Sequence, residues 1–511
     1  MRILVTGGTG VVGQSAVTAL VESGHEVRLF SRDAAKDASA WPNGVQANPG
    51  SVSERSEVTG SADQCDVVVH IAGIASESPP DATFEKINVD GTRNMLSEAE
   101  RAEVGLFLYV SSLGADRGSS PYHKSKLRAE ELVRRYGRKW MILRPGNVYG
   151  PGDEVISTLL KMIRTLPALP VLDDGEQAFQ PIWANDLGKA LAMAVEREDL
   201  AGRVLELAGN ERTCTNDVLD RFQEITGRSP ARVPVPTLLA NLGTKLAALA
   251  GIELPVNDSQ ITMLEEGNVI GAGQDNALTM VFGIEPTSLQ AGLRLLADAL
   301  PEQLPSEGFG AFERKRYWAD IRSVHHTAES LFDVFRENMN VLTAELLELG
   351  AEPGRDVHPL QEGSVLTMRL PVRGHIQVRV EELTERSLTL ATLQGHPLAG
   401  IIRFLAEQNA ESLRFEVRIY GKSANMVDWI TMHTVGGRIQ NATWVETVEN
   451  VVRISRGICA RGVQQQNSAL DERGQEQVEK WIEKLIAERI REDRNQGNNA
   501  GVNAEEEGVA A

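Results

Sequence analysis

Met1-Arg2-Ile3-Leu4-Val5-Thr6-Gly7-Gly8-Thr9-Gly10-Val11-Val12-Gly13 opens the chain, and its reading decides the fold. Arg2-Ile3-Leu4-Val5 is a short apolar run of the length of a buried parallel strand. The glycine-rich stretch that follows turns the chain. From Gln14 to Glu22 the apolar Val17, Leu20 and Val21 recur at helical spacing, with Gly24 as the stop. Strand, glycine turn and helix together present backbone N–H groups, at a helix N-terminus, to a pyrophosphate. Gly7 permits the tight turn, Gly10 the approach of phosphates and Gly13 close packing of helix on strand. Glu26-Val27-Arg28-Leu29-Phe30 supplies the next strand, so a dinucleotide site is expected here.

Outward from that stretch, the pattern alternates strand and helix to about Tyr149, as in a doubly wound parallel sheet. Cys65–His70, Leu106–Val110 and Trp140–Arg144 read as strands. Phe84–Arg101 and Pro121–Tyr136 read as helices. Gly13, Gly73, Ser112 and Pro145 all fall just beyond strand ends, where an open α/β sheet binds its ligand. Residues 150–300 are less regular and fit a small substrate region.

The chain has 511 residues, too many for one ordinary core. With 42% hydrophobic and 24% charged residues it has the composition of a soluble globular protein. No apolar run reaches the length of a membrane span, and no basic-then-apolar leader precedes the first strand. A cytoplasmic location is the expectation. Cys65, Cys214 and Cys459 lie far apart, without metal-ligand spacing, so no metal is expected. A net charge of -19 argues against nucleic acid or an anionic membrane as the main partner.

Tyr122-His123-Lys124-Ser125-Lys126 carries the chemistry. Tyr122 and Lys126 share one helix face, and an ammonium beside a phenol favours the phenolate. Tyr122 can then exchange a proton near neutral pH, while Ser112 hydrogen-bonds a carbonyl oxygen that gains negative charge. Lys126 can also hold the cofactor ribose. His123 reads as a surface neighbour. At the end of the second strand, Ser31-Arg32 stands where an acid would pair with the adenosine ribose of NAD. Both residues suit the 2′-phosphate of NADP; Asp33 keeps NAD as an alternative.

These motifs resemble the extended and atypical short-chain dehydrogenase/reductase superfamily, which includes nucleotide-sugar epimerases. The resemblance spans about 1–300. It rests on Thr6-Gly7-x-x-Gly10-x-x-Gly13, Val69-His70-x-Ala72-Gly73, Asn88-Val89-x-Gly91-Thr92, Val110-Ser111-Ser112 and Tyr122-x-x-x-Lys126. It continues through Leu143-Arg144-Pro145-Gly146 and Gln180-Pro181-Ile182-Trp183-x-x-Asp186. It implies a Ser112, Tyr122 and Lys126 triad with Asn88 as fourth member. It also implies a cofactor site at Gly7, Thr9, Gly10, Val12, Gly13, Ala72, Gly73, Tyr122, Lys126 and Pro145, to which Ser31 and Arg32 belong as a departure from the family's usual acid. The last two stretches look most like the branch holding the 39-kDa accessory subunit of respiratory complex I. That branch implies an alternative, a nucleotide-binding scaffold in a respiratory assembly.

Pro301–Gly310 has linker composition. After it come strands separated by polar turns, then a long helix at about Met426–Val452, which read as an α+β domain over 311–462. Thr392-Leu393-Gln394-Gly395-His396-Pro397-x-x-Gly400 and Arg438-Ile439-Gln440-Asn441-Ala442-Thr443 resemble an uncharacterised bacterial helix-grip family related to START-like domains. The resemblance implies a sheet wrapped around a helix, with a cavity for an apolar ligand. Residues 463–511 read as a charged helix and a disordered tail. The reading as a whole is an NADP-dependent oxidoreductase, or an epimerase/dehydratase-like enzyme, acting on a carbonyl or secondary alcohol of a small molecule. A redox- or lipid-sensing binding protein is a further alternative, and a homo-oligomer is compatible with the sequence.

Overall fold

Strand β1 (Arg2–Thr6) has both faces covered: Ile3 and Val5 pack into one apolar cluster and Leu4 into another. That two-sided burial marks a central parallel strand. The computed structural model describes residues 1–38, 41, 44–236, 268–271, 273–343, 348–354, 359–371, 373–409 and 411–508. Its contacts divide the chain into two compact units: 1–160, 168–224 and 230–299 form the first, and 161–167, 225–229 and 300–511 the second.

In the first unit, β1 is joined by β2 (Glu26–Ser31), β3 (Val45–Pro49), β4 (Val67–His70), β5 (Leu106–Val110), β6 (Lys139–Pro145) and β7 (Val204–Leu207). All seven are parallel, in the order β3-β2-β1-β4-β5-β6-β7. The fold is the expected doubly wound Rossmann sheet. From β1 the chain builds outward one way to β2 and the other way to β4, so a crevice opens beyond these strand ends. Helices α1 (Val11–Glu22), α2 (Gly91–Arg101), α3 (Pro121–Val133) and α4 (Ala184–Ala194) cover the sheet. Strand β3, Val-Gln-Ala-Asn-Pro, is a polar edge strand and carries no pattern that a sequence reading detects. The substrate region expected within 150–300 falls partly on 237–267, outside the described residues.

The second unit holds one antiparallel sheet of eight strands: β8 (Phe309–Ile321), β9 (Glu348–Leu349), β10 (Val365–Leu370), β11 (Gly374–Leu383), β12 (Ser387–Thr392), β13 (Leu398–Gln408), β14 (Leu413–Ser423) and β15 (Gln464–Ala469). Their order is β9-β10-β11-β12-β13-β14-β8-β15. One face packs on α5 (Ala328–Glu337) and α6 (Gly437–Ser455) through Phe332, Phe335, Phe404, Phe415, Trp444 and Val448. On another patch of the sheet, Ala391 and Ile401 cluster with Ile482 of α7 (Glu472–Gly508). The long helix expected over Met426–Val452 is interrupted: Met426–Thr431 leads through a π-helical turn, Met432–Gly436, into α6.

Three boundaries drawn from composition differ from the structure. Residues 301–310 are tied into the second unit, because Glu302 pairs with Arg379 and with Arg489 of α7, the latter at 2.8 Å. The sheet runs past 462, since β15 pairs with β8. Its Gln-Gln-Gln-Asn-Ser-Ala sequence has no apolar alternation and so carries no strand signal. Helix α7 continues beyond Asn495, where Ala and Glu, good helix formers, offset the Asn and Gly that suggest disorder.

Candidate dinucleotide cleft

The glycine turn is built as its spacing requires. Gly7 sits at φ +69°, and a Cβ there would stand 2.6 Å from the Ala72 nitrogen. A Cβ on Gly13 would lie 2.1 Å from the Gly7 carbonyl oxygen, so that position holds the helix against the turn. Gly10 differs: φ is -78° and a Cβ would meet nothing nearer than 3.8 Å. Its bareness is not demanded by packing; it leaves room in front of the N-terminus of α1, where no side chain caps the helix.

This turn forms one end of a cavity of about 1130 Å³. Gly7, Thr9, Gly10, Val12, Gly13, Ser31, Arg32, Ala72, Gly73, Ser112, Tyr122, Lys126 and Pro145 all line it. Of the site residues read from sequence, Asn88 alone lies outside that lining. A π-helical turn, Glu85–Asp90, precedes α2 and carries Asn88. The Asn88 amide accepts from the Ile74 N–H at 2.8 Å, and donates to the Ile74 carbonyl at 3.0 Å and to Ser125 Oγ at 2.9 Å. Both amide hydrogens are thus used in holding the Gly73–Ile74 loop to α3. Ser125 Oγ donates to the Tyr122 carbonyl at 2.6 Å, which extends the bracket to the phenol-bearing turn.

Helix α3 begins with Ser120 as N-cap, whose Oγ accepts from the His123 N–H at 3.2 Å, and Pro121 follows. His123 is 1% exposed, not a surface neighbour. Its place in the first turn, under that cap and against Gly118, buries it. Lys126 is buried and donates to the Val110 carbonyl at 2.8 Å, with Nζ 4.7 Å from the centre of the Tyr109 ring. Burial pulls its pKa down to about 8, against an opposing pull from Glu130. Burial raises the Tyr122 phenol, and Ser112 acts the other way.

Beneath the cleft runs an ion-pair network that the sequence reading does not reach. Arg144 at the end of β6 holds Glu130 of α3 through two hydrogen bonds of 2.8 Å, and Glu130 also accepts from Ser111 Oγ at 2.7 Å. The Asp116 carboxylate accepts from Arg144 at 2.6 Å. A signal is present: Glu130 follows Lys126 by four residues, and Arg144 lies inside the Leu-Arg-Pro-Gly stretch. Asp153 likewise caps the helix Ile156–Thr165, accepting from the N–H groups of Ile156 and Ser157.

A second buried chain joins the glycine turn to Asn88. The Ala72 N–H donates to Thr6 Oγ1 at 3.2 Å, which bonds His70 Nδ1 at 2.7 Å. His70 Nε2 bonds Thr92 Oγ1 at 3.0 Å, and Thr92 donates to the Asn88 carbonyl at 2.7 Å. Thr92 has given its only proton to Asn88, so His70 carries its hydrogen on Nε2 and accepts from Thr6 on Nδ1. Burial, aided by Lys126, pulls the His70 pKa down to about 3 and keeps the ring neutral.

Comparison with known proteins fits this geometry. Residues 3–208 match the NAD dependent epimerase/dehydratase family. A protein named ceramide reductase from Caulobacter vibrioides is 32% identical over 171 residues, 33% of this chain and 53% of its own. A 4-hydroxy-2-methyl-3-oxo-4-farnesyl-3,4-dihydroquinoline-1-oxide ketoreductase from Stigmatella aurantiaca is 28% identical over 218 residues, 39% of this chain and 65% of its own. The chain thus spans between 53% and 65% of the length of these relatives, less than two thirds of either. Among solved structures, the UDP-glucose 4-epimerase of Thermus thermophilus in complex with NAD is 24% identical, with a TM-score of 0.46; the match covers 58% of this chain and 98% of that one. Among the described residues no helix is long and apolar enough to cross a membrane. The match to the NAD dependent epimerase/dehydratase family thus covers residues 3–208, the stretch that holds the glycine turn and Ser112, Tyr122 and Lys126.

Proposed function

We propose that the protein is an NADP-dependent oxidoreductase that interconverts a carbonyl and a secondary alcohol on an apolar small molecule. One observation carries this reading: the glycine turn and the Ser112, Tyr122 and Lys126 side chains line a single cavity. The open space before Gly10 and the uncapped α1 N-terminus fit a pyrophosphate. A nicotinamide cofactor held there would supply or take the hydride. Tyr122 gives the proton to, or takes it from, the substrate oxygen, and Ser112 hydrogen-bonds that oxygen as charge develops. Lys126, charged below about pH 8, holds the ribose and favours the phenolate once its ammonium is drawn from Val110. Asn88 is a positioning residue, since its amide is occupied by Ile74 and Ser125. The relatives' names, a ceramide reductase and a farnesylated quinoline oxide ketoreductase, support an apolar carbonyl compound as substrate.

Ser31 and Arg32 line the cavity and support NADP over NAD; Asp33, Glu54 and Glu57 line it too and keep NAD as the alternative. Titration of protein fluorescence with each cofactor tests the choice. NADPH should bind more tightly than NADH, and Arg32→Ala should cost about 1.5–3 kcal/mol for NADPH only. Equal affinities in the parent protein would overturn NADP. A nucleotide-binding scaffold of the complex I type is the second reading, and retention of Ser112, Tyr122 and Lys126 in one cleft favours catalysis over it. For the second unit, the antiparallel sheet around α6 supports a helix-grip-like domain.

A further inference from the structure

The second unit contains a cavity of about 780 Å³ between its sheet and α6, within the range of small-molecule sites. Its inner wall is apolar: Met368, Ile376, Ile402, Ile419 and Trp444 line it and are buried. The charged side chains around it are Lys315, Arg373, Lys422 and Arg438 against Glu313 and Asp428. This local excess of cations stands on a chain of net charge -19. Lys315 is engaged by Glu313 and Gln440, and Arg373 by Asp428. Among the described residues, Arg438 and Lys422 have no carboxylate partner.

His396 adds a directional donor. It is 6% exposed and lines the cavity. The Leu398 N–H donates to its Nδ1 at 3.0 Å, and the Leu398 carbonyl lies 3.1 Å from the same atom. An amide N–H can only donate, so Nδ1 accepts and the ring proton sits on Nε2, which has no hydrogen-bond partner among the described residues. Burial, with Arg373 nearby, pulls its pKa down to about 3 and keeps it a neutral donor.

The geometry points to a binding site for an elongated amphipathic acid: an apolar chain against Ile376, Ile402 and Trp444, and an anionic oxygen head held by His396 Nε2–H and the cations of the rim. Arg438 and Lys422 border that apolar cavity and are free to pair with an anionic head. A carboxylate head on a hydrocarbon tail satisfies both halves at once. This site is independent of the nucleotide cleft and of the oxidoreductase reading.

The test uses the full chain, with cis-parinaric acid as fluorescent probe and oleate or oleyl alcohol as competitor. Saturable uptake at one site is expected, with oleate displacing the probe about tenfold more effectively than the alcohol. Ile402→Trp, which fills the cavity, should abolish uptake. The exposed Arg438→Glu should weaken oleate without weakening the alcohol. NADPH titration of each variant reports on the first unit separately. Protein that binds NADPH but shows no saturable probe uptake would overturn the site. So would uptake unchanged in both variants, and equal competition by acid and alcohol would overturn the anionic head. Probe binding that survives while NADPH binding fails would count against the oxidoreductase reading alone.

Discussion

At the scale of single residues, the side chains with chemical roles are legible because reactive types recur at fixed offsets. Tyr122 and Lys126 share a helix face, and Ser112 follows a strand. What escapes is the surroundings. His123 and His70 are polar residues that only the packed structure shows to be buried. The Lys126 ammonium points to a backbone carbonyl, which no spacing reveals. His70 and His396 are both held near pKa 3 by burial, which makes a prediction. Above pH 6.5 each ring is neutral folded and unfolded and contributes nothing to pH dependence. Below 6.5 the unfolded chain binds protons that the folded one refuses, so stability falls as pH drops from about 6.5 toward 3. The slope should be about 1.4 kcal/mol per pH unit for each ring. Urea denaturation at several pH values measures it, and His70→Gln should flatten the acid limb in the first unit. A stability that stays level down to pH 4 would contradict the buried neutral rings.

At the scale of elements, parallel strands buried on both faces announce themselves as apolar runs, and β1, β4, β5 and β6 are legible in that way. Edge strands β3 and β15 are not, since polar edges lack the alternation that a half-buried strand shows. Within the β1–α1 element, the three glycines have separable roles. A Cβ at Gly13 meets backbone at 2.1 Å, while one at Gly10 meets nothing within 3.4 Å. Gly13→Ala should therefore destabilise the first unit by about 1–3 kcal/mol, the usual scale for overpacking. Gly10→Val should leave the melting temperature nearly unchanged and remove nucleotide binding. Thermal melts paired with NADPH titration separate the two. A Gly10→Val protein that binds NADPH normally would remove the phosphate from that turn. Beneath the same cleft, Arg144→Met leaves the buried Glu130 with Ser111 and the more exposed Arg134 as partners and should cost about 1.5–3 kcal/mol, the scale of a lost charged hydrogen bond.

At the scale of the whole molecule, the presence of two cores is legible from the change of pattern near residue 310. Their limits are not, because composition marks polarity and not ion pairing. Glu302 lies in a segment of linker composition, yet it joins Arg379 and Arg489 in a buried cluster with Glu381. Arg489→Met should release α7 from the sheet, seen as early proteolysis within 472–494, while the parent chain resists cleavage at 301–310. The oxidoreductase account rests most directly on Tyr122. On the best substrate from a panel of apolar ketones, Tyr122→Phe should bind NADPH within a factor of about two of the parent and turn over at least about 10²-fold more slowly. Turnover unchanged by Tyr122→Phe, with NADPH binding intact, would contradict the assignment of proton transfer to Tyr122.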